Sequence, residues 1–95
     1  MTSRAALAGS IAEAVSAVPG VQRLTGGGAI EAATQYAGGK VVGVRLGETV
    51  QIHLVADRVP LPRVAAGARW AARSVLDEAG DDRPVEVFID DIEGV

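Results

Sequence analysis

The chain contains no cysteine and only one Trp, one Tyr and one Phe. The absence of cysteine excludes a disulfide framework, a thiolate metal site and a cysteine nucleophile. Since 48% of the residues are nevertheless hydrophobic, the core has to be built mainly from small aliphatic side chains. A chain of 95 residues suffices for one modest core, so we predict a single domain over residues 1–95.

Long apolar runs and export signals are also missing from the sequence. No stretch approaches the roughly 20 apolar residues of a membrane span, and residues 1–10 lack the apolar segment of a signal peptide. We therefore expect a cytoplasmic protein that does not insert directly into a membrane.

Basic residues are scarce towards the C-terminal end. Residues 1–76 hold eight Lys or Arg and four Asp or Glu, a net charge of +4, whereas residues 77–95 hold one Arg and eight acidic residues, a net charge of −7. Binding to phosphate groups needs a concentrated basic footprint. The acidic end therefore argues against nucleic acid as the main partner.

No residue pattern typical of a catalytic or metal site is present. The glycine run at residues 26–28 has no Lys-Ser or Lys-Thr after it, and Gly38-Gly39-Lys40 is followed by Val41, so neither matches a phosphate-binding loop. His53, the single histidine, has no acidic residue at a matching offset along its strand. The acidic residues near the C-terminal end lack the spacing of a Ca²⁺ loop. We predict no catalytic residue, no cofactor and no metal.

Two segments have the periodicity of amphipathic helices. The first is predicted to begin after Thr2 or Ser3 as the cap and to end at Pro19-Gly20. Its apolar stripe consists of Leu7, Ile11, Ala14, Val15 and Val18. The second is predicted from about Pro62 to Ala79, ending at Gly80. Its apolar face consists of Val64, Ala65, Ala68, Ala71, Ala72, Val75, Leu76 and Ala79.

Alternating apolar and polar residues predict the strands. Residues 42–46 and 50–56 form a predicted β-hairpin, residues 21–25 a short strand and residues 85–89 a final strand, whereas residues 29–37 are ambiguous between helix and strand. We predict an α+β fold in the order α-β-β-β-α-β, with two amphipathic helices on one face of a small, mainly antiparallel sheet. The predicted buried sheet face consists of Val42, Val44, Leu46, Val50, Ile52, Leu54, Val85, Val87 and Ile89.

Two groups of residues lie outside this predicted core. On the second helix, Trp70 lies opposite the apolar face, with Arg63, Ala66 and Arg73 near it. This group is either a protein-docking patch or a surface that another part of the chain, such as residues 29–37, covers. On the strands, Val55 and Phe88 alternate with the core residues and point away from the helices. We expect both to be exposed in a monomer and covered by a second copy or a partner.

Several segments carry a family resemblance when they are taken in order. They read IAEAV at 11–15, VPGV at 18–21, LTGG at 24–27, VGVRL at 42–46 with VQIHLV at 50–55, PLPRVA at 60–65 and VEVFIDDI at 85–92. The set resembles the alkaline shock protein family, the envelope stress response proteins of Gram-positive bacteria, over nearly the whole chain.

The resemblance implies a non-enzymatic protein that acts by binding other proteins. Family members are abundant cytoplasmic proteins that self-associate, and some are held at the membrane by a separate transmembrane partner. We therefore expect at least a homodimer, and a membrane-anchored protein as a further partner at the inner face of the membrane. The alternative is an RNA-binding module of the KH type, which needs a Gly-x-x-Gly loop between two helices with basic flanks. No Lys or Arg lies between Gly26 and Gly39.

Overall fold

The computed structural model describes residues 3–27 and 31–94, and it confirms the α+β class. The elements, in chain order, are α1 (Arg4–Ser16), β1 (Val21–Leu24), β2 (Ala33–Tyr36), β3 (Gly39–Val42), β4 (Val44–Leu46), β5 (Val50–Ala56), α2 (Leu61–Glu78) and β6 (Val85–Ile92). The order is therefore α-β-β-β-β-β-α-β, with two strands more than the sequence predicts.

Both helices begin and end close to their predicted bounds. Ser3 caps α1, because its Oγ accepts a hydrogen bond of 3.0 Å from the backbone N–H of Ala6; the alternative cap Thr2 lies outside the described residues. α2 begins directly after Pro60 and has Pro62 in its first turn, where a missing N–H costs no helical hydrogen bond. The buried residues of each helix recur at intervals of three and four, so one stripe of each helix faces the core.

Strand β5 is the centre of the main sheet. On one side it pairs in parallel with β6 along its whole length, from Val50 opposite Val85 to Ala56 opposite Ile92. On its other side it pairs antiparallel with β4 over its first half and with β1 over its second half. Since β5 and β6 run parallel, the chain has to cross between them, and α2 is that crossover.

The remaining strands form a separate hairpin. β2 and β3 pair antiparallel from Ala33 opposite Val42 to Tyr36 opposite Gly39. The ambiguous segment thus contains a strand at Ala33–Tyr36 and no helix in its described part, and residues 29 and 30 lie outside the described residues. The hairpin is joined to the main sheet by Thr34, whose buried hydroxyl donates to the carbonyl oxygen of Val44 at 2.7 Å.

One predicted core residue is misplaced. Val42 was expected on the buried face of the strand at 42–46, but it belongs to β3 and is 36% exposed. The cause is Gly43, which adopts a φ of 90° and divides the predicted strand into β3 and β4. Val42 therefore belongs to β3, and the alternating buried positions of the main sheet begin at Val44 in β4.

The core lies between the two helices and one face of the main sheet. Of its predicted sheet residues, Val44, Leu46, Val50, Ile52 and Leu54 are buried. Val85, Val87 and Ile89 are partly buried and pack against the same cluster. In the described part of the chain, neither helix combines the length and the apolar composition needed to cross a bilayer.

Candidate protein-docking surface

An open groove runs along the contact between the two helices. Its larger part has a volume of about 460 Å³, and the adjoining part has about 370 Å³. Both parts are lined by Val18, Pro19 and Gly67. We call the two parts together the α1–α2 groove. At this point α2 comes close to the segment that follows α1, because a Cβ atom on Gly67 would lie 2.9 Å from Cγ1 of Val18.

Trp70 is the largest side chain on this groove and the most exposed large hydrophobic residue of the described chain. It lines the larger part and is 73% exposed. The described residues therefore do not cover it: the β2–β3 hairpin, which includes most of residues 29–37, packs against α1 and β4 instead. Of the other residues predicted in the patch, Arg63 is exposed and lines the smaller part. Ala66 is exposed but lines neither part.

Arg73 is turned away from the groove and holds the end of α2 to the connection with β6. Its guanidinium donates to the carboxylate of Asp77 at 2.9 Å and to the backbone carbonyl oxygens of Asp81 and Arg83. These bonds use Nε, Nη1 and Nη2, all three of its side-chain nitrogens. We therefore leave Arg73 out of the candidate surface, although its position on the helix next to Trp70 suggested it.

The same connection contains a bidentate ion pair between Asp81 and Arg83. Arg83 donates from Nη2 to Oδ2 at 2.6 Å and from Nε to Oδ1 at 3.0 Å, and its backbone N–H donates to Oδ1 at 3.0 Å. These bonds stabilise the charged carboxylate, so they lower the pKa of Asp81 to about 2, and the pairing raises the pKa of Arg83. Arg83 also donates to the carbonyl oxygen of Gly47 at 3.2 Å, which connects the two loops at this end of the sheet.

We expect this ion pair to make stability depend on acidity. A carboxyl group whose pKa is depressed in the folded state stabilises the fold fully above its ordinary pKa, and this contribution is lost as the pH falls through the folded value. For Asp81 the window runs from about pH 4 down to about pH 2. Asp81→Asn should lower the free energy of unfolding near neutral pH and flatten its fall across that window, measured by urea denaturation at a series of pH values.

Asp82→Asn is the matched control for this prediction. Asp82 is the next residue, is exposed, and takes part in none of the salt bridges formed by the described residues. We expect its loss to leave both the stability and the acid profile nearly unchanged. An Asp81→Asn profile that runs parallel to that of the parent chain would show that the pair contributes nothing to the pH dependence of stability.

Val55 is not part of the core cluster that contains its neighbours Leu54 and Ala56, in keeping with its predicted place on the outer face of the sheet. It is only 2% exposed, however, so the expectation of an exposed side chain is wrong. The register shifts both between Leu54 and Val55 and in the facing part of β1, so the pairing is irregular on both sides of this residue. In addition, Arg23 on β1 forms a 2.9 Å ion pair with Glu93, which follows β6. This pair joins the two strands that flank β5 at Val55.

Phe88, the other residue predicted on the outer face, is exposed as expected. It is 36% exposed, and its ring stacks on that of His53 with centroids 4.5 Å apart and an angle of 11° between the rings. His53 Nδ1 also lies 2.9 Å from Oδ2 of Asp90. Sequence spacing along β5 gave no sign of this carboxylate, because it comes from the parallel neighbour β6. Predicting that β5 and β6 are paired would have revealed it.

The His53–Asp90 pair is partly exposed, with 17% of the His53 side chain and 30% of the Asp90 side chain accessible, and it contacts no nucleophile in the described structure. Among residues 3–27 and 31–94, the imidazole forms no hydrogen bond to a hydroxyl group, and no group of three or more His, Asp or Glu is arranged to hold a metal ion. The pair forms a contact between β5 and β6 that orients the imidazole beside Phe88.

The described glycines of the 26–28 run follow β1, and Gly28 lies outside the described residues. The two helices of the described chain are separated by five strands, so no Gly-x-x-Gly loop joins them as it would in a KH-type module. No model of a protein family matches the chain, and no curated protein and no solved structure is significantly similar to it.

Proposed function

We propose that this chain is a non-enzymatic protein-interaction module that self-associates through the α1–α2 groove. The observation that carries the proposal is Trp70, 73% exposed beside a largely apolar groove. Trp is among the residues that most often dominate the binding energy of an interface, and small neighbours such as Gly67 and Ala71 let a partner approach closely. The resemblance to the alkaline shock protein family, whose members self-associate, supports the same role.

The distribution of charge along the groove favours a second copy as the occupant. Trp70 lies at the middle of α2, with Arg63 lining the groove towards one end and Glu78 towards the other. When the two-fold axis is perpendicular to α2 near Trp70, the α2 helices of the two copies run antiparallel, so each end of one helix meets the opposite end of the other. The two Trp70 side chains then meet near the axis, and each Arg63 faces the Glu78 end of its partner.

Replacing Trp70 by alanine tests this proposal. Because Trp70 is exposed in the monomer, we expect Trp70→Ala to keep the Tm of the parent chain and to weaken self-association by about 2 kcal/mol or more. Analytical ultracentrifugation over a range of concentrations measures the association, and circular dichroism measures the Tm. Arg69→Ala is the control, since Arg69 is the exposed neighbour on α2 and lines no part of the groove.

A charge exchange identifies the partner surface. Arg63→Glu should weaken the dimer, and Arg63→Glu combined with Glu78→Arg should restore it, because the reversed charges again face each other across the two-fold axis.

A parent chain that is monomeric at high concentration would contradict the proposal. So would a Trp70→Ala chain that is destabilised but associates normally. Binding of single-stranded RNA that weakens with salt and depends on Arg63 would favour the RNA-binding alternative instead.

On the family resemblance we also propose that the dimer works in the cytoplasm and binds a membrane-anchored protein at the inner face of the membrane. Support for a protein as the means of attachment, rather than direct insertion, is that no apolar run in the sequence is long enough to span a bilayer. Fractionation of cells that produce the tagged chain tests this. We expect to find the chain in the membrane fraction and to release it with salt or mild detergent. Either Trp70→Ala or loss of the membrane-anchored partner should shift the chain to the soluble fraction.

A further inference from the structure

Strand β6 leaves one edge of the main sheet open. It is the longest strand, with eight residues, and β5 is the only described strand that pairs with it. Val50 N–H donates to the carbonyl oxygen of Pro84 at 2.8 Å, which fixes the backbone directions along the ladder. Because alternate residues of a strand face the same neighbour, Val85, Val87 and Ile89 point their N–H and C=O groups away from β5, towards the open edge.

The side chains along this edge are acidic, aromatic or apolar. Glu86 and Asp91 are exposed, and neither takes part in a salt bridge formed by the described residues. Between them lies the exposed ring of Phe88. On the inner face of the same strand, Val87 and Ile89 are only partly buried against the core. The edge thus combines free backbone groups with acidic and aromatic side chains on one face and apolar side chains on the other.

We propose that β6 binds an extended basic segment of another protein, which adds to the sheet as a further strand. The outward backbone groups of Val85, Val87 and Ile89 would pair with the backbone of the segment, as in other complexes formed by strand addition. Lys or Arg side chains of the segment would lie beside Glu86 and Asp91 on the outer face. Apolar side chains at the alternate positions would extend the partly buried row of Val87 and Ile89.

The negative charge of the edge disfavours a second copy of this chain as its occupant. If two β6 strands pair antiparallel about Phe88, Glu86 of each copy lies opposite Asp90 of the other. Like charges directly opposite each other destabilise a strand pair, and the net charge of −7 over residues 77–95 adds to the repulsion. The binding edge and the α1–α2 groove therefore serve different partners, and the inference goes beyond the proposed self-association.

A designed peptide tests the inference on the full chain. The probe is an eight-residue peptide of alternating Lys and Val with blocked ends. It is titrated into the Trp70→Ala variant, so that self-association through the α1–α2 groove does not affect the result. We expect saturable binding, seen by NMR as shifts of the β6 amides, and a matched Glu-Val peptide should not bind. Reversing the charge at the edge with Glu86→Lys and Asp91→Lys should weaken binding roughly tenfold.

Two substitutions at Val87 separate strand addition from mere attraction of charge. Val87→Pro removes one outward N–H, whereas Val87→Ala shortens the side chain and keeps that N–H; a proline is tolerated at an edge position of this kind. We expect Val87→Pro to bind the peptide roughly tenfold more weakly than Val87→Ala, with circular dichroism confirming that both are folded. Equal binding by the two variants would overturn the inference. No binding to the parent edge would show that its acidic side chains only keep other strands away.

Discussion

Replacing Ile52 by alanine is expected to lower the free energy of unfolding by roughly 2–5 kcal/mol. Ile52 has no exposed surface and lies in the central strand β5, opposite Val44 on one side and Val87 on the other. Strands flank Ile52 on both sides and the helices cover it. The surrounding side chains therefore have little freedom to fill the cavity that the smaller alanine would leave. A small domain is stable by only about 5–15 kcal/mol, so this single change removes a large part of its stability.

Urea denaturation followed by circular dichroism measures this effect. Gln51→Ala is the control, because Gln51 is the preceding residue of the same strand and its side chain points to the outer face. We expect the control to change the free energy of unfolding by about 0.5 kcal/mol or less. If the two variants lost equal stability, the assignment of the core face of β5 would be wrong.

The parts of this fold that the sequence predicts are those with a regular hydrophobic period. The helices α1 and α2 follow from apolar residues at intervals of three and four, and the core face of β5 follows from strict alternation. The exposed position of Trp70 follows from its place opposite the apolar face of α2, although periodicity alone could not exclude a covering segment. In each case neighbours along the chain carry the information.

The features that the sequence did not predict depend on contacts between distant segments. Asp90 reaches His53 only because β6 lies parallel to β5, and Arg73 faces the 81–83 connection only because that connection folds back along α2. Val55 is buried although it lies outside the core cluster, at the place where the Arg23–Glu93 pair joins the strands on both sides of it. A period of two predicts which face of the sheet a residue takes, but not what covers that face.

The backbone of Gly43 connects two segments that are distant in the sequence, the one before β2 and strand β5. Its N–H donates to the carbonyl oxygen of Ala32 at 2.8 Å, and its own carbonyl oxygen accepts from the N–H of His53 at 2.9 Å. With a φ of 90° it has a backbone conformation that side chains with a Cβ rarely adopt. A Cβ at this position would lie 2.6 Å from Cβ of Leu24 and 3.1 Å from the carbonyl oxygen of His53. The residue thus fixes where β3 ends and β4 begins.

We therefore expect Gly43→Ala to lower the free energy of unfolding by roughly 2–5 kcal/mol, from the strained φ and from the overpacking against β1. Gly9→Ala is the matched control, because nothing lies within 4 Å of a Cβ at Gly9 and alanine favours the interior of a helix by about 0.5–1 kcal/mol. The same substitution should thus destabilise the chain at one site and stabilise it at the other, in parallel urea titrations. Should Gly43→Ala prove neutral, the close contact between β1 and the β3–β4 junction would not exist, and residues 42–46 would form the single strand that their alternation predicts.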